Sequence, residues 1–312
     1  MVLALGGAVL AAGGPGALLL AVAGVAFSAT FHQAARGAAP GPRLDLTKPF
    51  TVLVMGTEKT QAFGGENTDS LMLMGYDPRA SWVAVLSVPR DLWVDIPGEG
   101  YQRINTALQV GGPSLAEEVV TQVTGVPVDY YAVVTYQALV DVVNAVGGIE
   151  VYVPYNIDDT CFPNPAENAC TTFRLSKGWH HLDGETALKL AREREVLPLS
   201  DLSRDADQQA ILLALRQRLL TPFGLLKIPA IVQILARSVQ TNFPLDQVPA
   251  LASALLRLPR KDIHTAVLQY ANGAVTSWVT PGGADVLLPN PSAIHAVVAQ
   301  VFGPMLPGGP GT

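Results

Sequence analysis

A chain of 312 residues, 49% of them apolar and only 15% charged, is long enough for one large domain or two modest ones and carries a net charge of −6 at pH 7. With 20 Lys and Arg against 26 Asp and Glu, and no basic block, the composition argues against a nucleic-acid partner, because duplex binding relies on clustered charge that neutralises phosphates. A single phosphate site built from a few converging arginines is not excluded.

Residues 2–30, VLALGGAVLAAGGPGALLLAVAGVAFSAT, contain no charge. About 20 apolar residues suffice to cross a bilayer. The Gly-Gly-Pro-Gly at 13–16 disfavours helix, so residues 15–31 are the predicted spanning core and residues 1–31 read as one transmembrane anchor. A cleaved signal peptide is the competing reading, with Ala34-Ala35 or Ala38-Ala39 as its small-residue site. Arg36, Arg43 and Lys48 follow the run and no Lys or Arg precedes it, so the positive-inside rule alone favours an outside N-terminus. Residues 32–49 are a linker rich in Ala, Gly and Pro.

Three apolar runs come next: FTVLVMG (50–56), SLMLMGYD (70–77) and WVAVLSVP (82–89). They lack strict alternation and predict central strands covered on both faces, the last two joined by a PRAS turn. PSLAEEVVTQVTG (113–125) predicts a helix with Pro113 in its first turn and Gly125 as its stop. A strand follows at 128–134, then a helix at 135–148 with Thr135 as N-cap and Gly147 near its end, then an alternating strand at 149–154. Cys161 and Cys170 flank FPNPAENA, which reads as a Pro/Asn loop closed by a disulfide or carrying two free thiols. A disulfide would fit an extracytoplasmic domain. SDLSRDADQQAILLALRQRLL is a long helix, acidic first and basic last. Two apolar helices are expected over 225–258, a hairpin of 264–271 and 274–281 turning at Asn272-Gly273, and a closing helix at 292–302. Strands interleaved with helices give an α/β class, a mixed sheet between helical layers. One domain is expected over 50–303, with 304–312 as a disordered tail.

Four charged places interrupt this apolar background. The Gly-rich loop GTEKTQAFGGENTDS (56–70) carries Glu58 near its start and Asp69 at its end. Two carboxylates converging there could hold Mg²⁺; the plain alternative is a solvated loop. Arg90-Asp91 ends an apolar strand. In ARERE (191–195), an extended backbone would put Arg192 and Arg194 on one face, where two guanidiniums repel unless an anion lies between them; Arg–Glu pairing is the alternative. In SRDADQQ, Arg204 and Gln208 share a helix face near its N-terminus, where backbone N–H groups favour anions. Together these suggest a diphosphate-shaped site of arginines beside a carboxylate-bound metal.

The ordered segments FTVLVMGTE, NTDSLMLMGYDP, VAVLSVPRDLWVDIPG, RINTALQVGGP, GVPVDYYAVV, VNAVGGIEVYVP, GWHHLDGETALKLARER and DLSRDADQQ resemble the LytR–CpsA–Psr cell-envelope proteins over nearly everything after residue 50. The resemblance implies an α/β sheet between helices, anchored in the cell membrane by a single pass with the domain outside. It implies an enzyme that takes a polyprenyl diphosphate-linked glycopolymer and transfers its glycosyl-phosphate portion to peptidoglycan or a similar envelope acceptor, with Mg²⁺ as cofactor. On the matching positions, Arg90, Arg192, Arg194, Arg204 and Gln208 would bind the diphosphate and Glu58 and Asp69 the metal. Asp69 or Asp91 would serve as base, or Asp91 would orient Arg90. Arg103 and Asn105 would be structural. Two positions depart from the family pattern: Asn67 and Asp207 stand where arginine is usual. Each loses a positive charge, which leaves open a non-catalytic polyprenyl phosphate-binding protein, or a diphosphate hydrolase that needs no acceptor.

Overall fold

A computed structural model describes residues 44–58, 67–164, 169–193, 201–244 and 247–306. The expected anchor, most of the linker, Arg194 and the last six residues of the tail lie outside the described residues.

Strands β1 (Phe50–Thr57), β2 (Ser70–Asp77) and β3 (Trp82–Val88) are the three apolar runs. They form an antiparallel meander, with Gly56 opposite Ser70 and Leu71 opposite Val88. The tight turn between β2 and β3 is held by Asp77, whose Oδ1 accepts from Arg79 N at 2.9 Å. A small hairpin follows, β4 (Trp93–Ile96) with β5 (Gly100–Arg103), and then helix α1 (Ala107–Thr124). Helix α1 begins earlier than Pro113 predicts, but the backbone breaks at Gly112 (φ 70°, ψ −169°), so Pro113 does open a fresh helical segment. Gly125 closes it in the left-handed conformation (φ 71°), as a C-terminal glycine does without a Cβ penalty.

Strand β6 (Tyr130–Thr135) enters parallel to β1 and feeds α2 (Tyr136–Ala145), whose first turn is capped by Thr135 accepting from Ala138 N. Strand β7 (Ile149–Val153) alternates buried and exposed, as its sequence predicts. The cysteine loop is a hairpin, β8 (Ile157–Asn164) with β9 (Ala169–Leu175), and β10 (Gly178–Leu182) returns antiparallel to β7. Helices α3 (Gly184–Arg192), α4 (Asp201–Leu219) and α5 (Pro222–Ser238) follow, then β11 (Val239–Thr241), α6 (Val248–Arg257), β12 (Ile263–Val267), β13 (Val275–Val279), β14 (Asp285–Pro289) and α7 (Pro291–Phe302).

The central sheet has the order β11-β6-β1-β2-β3-β12 and is mixed, with parallel pairs β1–β6 and β3–β12. One core lies where α1 and α7 cover the sheet, around Leu53, Leu73, Leu86, Val119, Val298 and Phe302. A second is built by α2 to α5 with β7 to β10, around Val143, Ile149, Leu182, Leu190 and Ile211. Gln209 fixes α4 to the sheet, its Nε2 donating to Ser87 Oγ and Ala266 O, both at 2.8 Å.

Two local expectations are corrected. The segments 264–271 and 274–281 do not pair: β12 joins β3 and β13 joins β14. Asn272 and Gly273 instead close a 3-10 turn, where Asn272 Nδ2 donates to Val267 O and Oδ1 accepts from Gln269 N and Ala274 N. Residues 191–192 are not extended either, since Arg192 is the last residue of α3 and the backbone straightens only at Glu193.

Candidate active site

Asp69, Arg90, Tyr136, Asp159, Phe162, Pro163, Arg192 and Arg204 line one solvent-open pocket. Its first wall comes from strand ends. Asp69 stands just before β2, its N–H donating to Gly56 O at 2.9 Å. Arg90 leaves β3 and donates from Nη1 to Asp69 Oδ1 at 2.6 Å. Asp91 backs this pair: it is buried, accepts from Arg90 Nε at 3.3 Å on one oxygen, and meets Arg103 Nε at 3.2 Å on the other. The backbone of Asn105 receives Thr68 N–H and donates to Arg90 O, both at 3.2 Å. One short turn thus staples the Asp69 and Arg90 segments together.

The second wall is helical. Arg192 ends α3 with its guanidinium over the Tyr136 ring, 5.4 Å from the centroid. Burial first, and the neighbouring Asp69 second, push the Tyr136 hydroxyl far up, so it stays protonated and can donate. Arg204, in the first turns of α4, is 3% exposed yet reaches the pocket, with Asp205 Oδ1 3.9 Å from its Nη2. A guanidinium this deep raises the local affinity for anions.

The third wall is the β8–β9 hairpin, which sequence reasoning read as a loop. It contributes Asp159, Phe162 and Pro163, and Cys161 is joined to Cys170 by a disulfide with Cα atoms 4.4 Å apart. Asp159 Oδ1 accepts from Cys161 N at 2.7 Å, which turns the strand at its bulge. The signal available beforehand was the pair of cysteines around a Pro-rich segment; nothing local showed that it faced the arginines. Tyr136 was visible only as a residue of the predicted helix.

The sequence-derived set therefore divides. Asp69, Arg90, Arg192 and Arg204 meet in the pocket. Asp91 stands behind Arg90, held by two guanidiniums. Gln208 turns away: it is buried, with Nε2 donating to Ala191 O at 3.0 Å, so it braces the end of α3 that carries Arg192. Arg194 lies outside the described residues. Glu58 is exposed at the same end of the β1–β2 pair as Asp69. Among the described residues no three His, Cys, Asp or Glu side chains form a metal cage. A pair of carboxylates still suits Mg²⁺, which commonly takes one or two carboxylates and completes its shell with substrate phosphate and water.

The two departures lie differently. Asn67 is exposed beside Thr68. Asp207 is buried and accepts a hydrogen bond from the Tyr155 hydroxyl on Oδ2, so it points to the β7–β8 turn and does not line the pocket. Burial pushes its carboxyl up to about 7, with Glu193 adding to the rise and the Tyr155 hydroxyl working against it.

The model of the LytR_cpsA_psr family matches residues 24–295. TagV of Bacillus subtilis (strain 168), a polyisoprenyl-teichoic acid–peptidoglycan teichoic acid transferase, is 32% identical over 222 residues, 70% of this chain and 56% of TagV. MsrR of Staphylococcus aureus (strain COL), named a regulatory protein, is 32% identical over 194 residues, 62% of this chain and 56% of MsrR. The chain thus spans about half the length of the curated relatives it matches. The crystal structure of B. subtilis TagV superposes with a TM-score of 0.67 at 29% identity, covering 83% of this chain and 98% of that one. A structure of TagT with bound octaprenyl pyrophosphate lipid shares the fold, with a TM-score of 0.61 at 24% identity over 84% of this chain and 92% of that one. The sheet order, the charged ends of its strands and the match across residues 24–295 lead to one conclusion: the chain belongs to the LytR–CpsA–Psr family.

Proposed function

We propose that this chain is an extracytoplasmic phosphotransferase. It would move a glycosyl-phosphate polymer from a polyprenyl diphosphate carrier to peptidoglycan or a similar envelope acceptor. The observation that carries this reading is the convergence of Arg90, Arg192 and Arg204 with Asp69 in a single pocket. Three guanidiniums at one pocket suit a diphosphate, because each offers paired N–H donors to phosphate oxygens. The activity named for TagV supports the same chemistry, and the disulfide supports an oxidising compartment.

In the reaction, an acceptor hydroxyl attacks the phosphorus next to the sugar. The new P–O bond forms as the bond to the distal phosphate breaks, and polyprenyl monophosphate leaves. Of Asp69 and Asp91, Asp69 would be the one to take the hydroxyl proton, since it lines the pocket while Asp91 stands behind Arg90. Arg90, Arg192 and Arg204 stabilise the charge that collects on the leaving phosphate. Glu58 and Asp69 are the residues that would hold Mg²⁺, which would supply further neutralisation of phosphate charge. Asp207 does not line the pocket, which favours turnover over the reading as a binding-only protein.

The test is turnover of a polyprenyl diphosphate-linked glycan by the full chain, with and without Mg²⁺ and with and without acceptor. Cleavage that needs metal and is lost in Arg90→Ala is expected. Cleavage that proceeds equally without acceptor would replace transfer by hydrolysis, and binding without cleavage would leave a lipid-binding protein.

A further inference from the structure

We propose that the corner between α4 and α5 is a membrane-docking surface that rests on an anionic lipid bilayer. Leu220 (42% exposed), Phe223 (45%), Leu225 (36%) and Leu226 (59%) stand out from this corner within seven residues. Scattered exposed apolar side chains are ordinary on a soluble surface, but a contiguous group marks a contact. The charge around them has one sign. From Gln208 to Leu245 the charged residues are Arg216, Arg218, Lys227 and Arg237, and no acid occurs between Asp207 and Asp246. Of these, Arg218 and Lys227 flank the apolar tip, while Arg216 donates to Leu255 O and Leu258 O and Arg237 stands in the last turn of α5. Two cations beside an apolar tip fit a surface that pairs anionic headgroups with acyl chains.

The corner is built to hold these side chains out. Thr221 Oγ1 accepts from Gly224 N at 3.1 Å and donates to Arg218 O at 2.7 Å. A Cβ on Gly224 would meet Arg218 O at 2.2 Å, so the two helices close tightly on each other. Arg218 Nε donates to Val146 O at 2.9 Å, fixing the corner to the end of α2. Arg218 and Lys227 lie over the Phe223 ring, 5.2 and 5.0 Å from its centroid, which places cations beside the apolar tip. The helices meet at 111°, and Ile211, Ala214 and Ile231 on them are buried in the second core. The pair therefore belongs to the folded domain and offers the membrane its bend.

Helix α2 and its cap Val146 join Tyr136 at the pocket to the corner across roughly 15 Å of helix, so the docking surface and the pocket are separate places on one rigid element.

The test uses the full chain in phosphatidylglycerol nanodiscs with an environment-sensitive fluorophore on Leu226→Cys, and on Tyr101→Cys in β5 as a reference. Brominated acyl chains should quench the label at 226 and not at 101, and adding Arg218→Glu with Lys227→Glu should abolish the quenching at 226. Equal quenching at the two positions, or quenching unchanged in purely phosphatidylcholine discs, would overturn the proposal. So would a blue shift at 226 that grows with protein concentration in lipid-free detergent, because a second copy would then cover the corner. No diphosphate lipid is present, so the outcome is independent of how the pocket is read.

Discussion

The strand wall and the helical wall of the pocket hold their arginines in opposite ways. At the strand ends, Arg90 keeps 15% of its side chain exposed and is held by ion pairs, to Asp69 at 2.6 Å and to Asp91 at 3.3 Å, with Arg103 behind. In the helical wall, Arg204 is 3% exposed, with Asp205 Oδ1 3.9 Å from its Nη2. The first arrangement spreads charge over a network that water still screens. The second places a cation in a low-dielectric setting, where removal of a partner or of the cation disturbs the packing itself. A phosphate entering the pocket would therefore compete with Asp69 for Arg90, whereas at Arg204 it would meet a cation already desolvated.

The comparison is broken most directly by truncating each arginine. Arg90→Ala and Arg204→Ala should each lower turnover by about 10²–10³-fold, the usual cost of one donor to a developing anion. Arg204→Ala should lower the melting temperature more than Arg90→Ala; equal melting temperatures for the two variants would refute the distinction. Next in size is the pH response of the helical wall. The Asp207 carboxyl is raised to about 7 in the folded chain, so its contribution to stability is present below its ordinary value near 3.8 and fades as pH rises through about 7. Up to about 4 kcal/mol is at stake. Glu117, also pushed up to about 7, by burial first and Asp129 second, adds a loss of the same sign. Urea midpoints from pH 5 to 8 should fall for the wild type and fall less for Asp207→Asn; parallel slopes would show that Asp207 does not titrate there.

A smaller effect is expected at the third wall. Reduction, or Cys161→Ser with Cys170→Ser, should cost about 2 kcal/mol of unfolding free energy, as for other short closed loops. It should also raise KM for the donor more than it lowers kcat, because Phe162 and Pro163 line the pocket from that hairpin. Unchanged KM after complete reduction would remove the hairpin from the binding surface. The smallest change is expected from Asn67→Arg, an exposed position where an added cation should tighten donor binding about two- to fivefold. Tightening that persists at high salt would indicate direct contact instead of screened attraction.

What the sequence made legible follows from how local each signal is. The runs FTVLVMG, SLMLMGYD and WVAVLSV declare buried strands by composition alone, and Thr135 announces a helix start through its capping oxygen. Arg90 was conspicuous because charge at the end of such a run is unusual. The pairing of β12 with β3 and of β13 with β14 was not legible, since Asn272-Gly273 gives a turn signal whether or not its flanks pair with each other. Nor could the hairpin wall be placed, because Pro163 and Asn164 read as loop while the packing of Phe162 against Phe173, with ring centroids 5.5 Å apart, makes them strand. Gln208 shared a helix face with Arg204 as expected, and only the structure shows Ala191 O receiving its amide.

The mixed sheet has a consequence for the order in which the molecule assembles. Strands β1, β2 and β3 are joined by neighbouring contacts in sequence, and contacts of that kind form early at little loop-closure cost. Asp69 and Arg90 come together with them. Tyr136 arrives only when β6 docks on β1, and Arg192 and Arg204 only when α3 and α4 close the second core. A chain emerging from its N-terminus therefore carries half an anion site, already neutralised by its own ion pair, until the helices of the other half have been made.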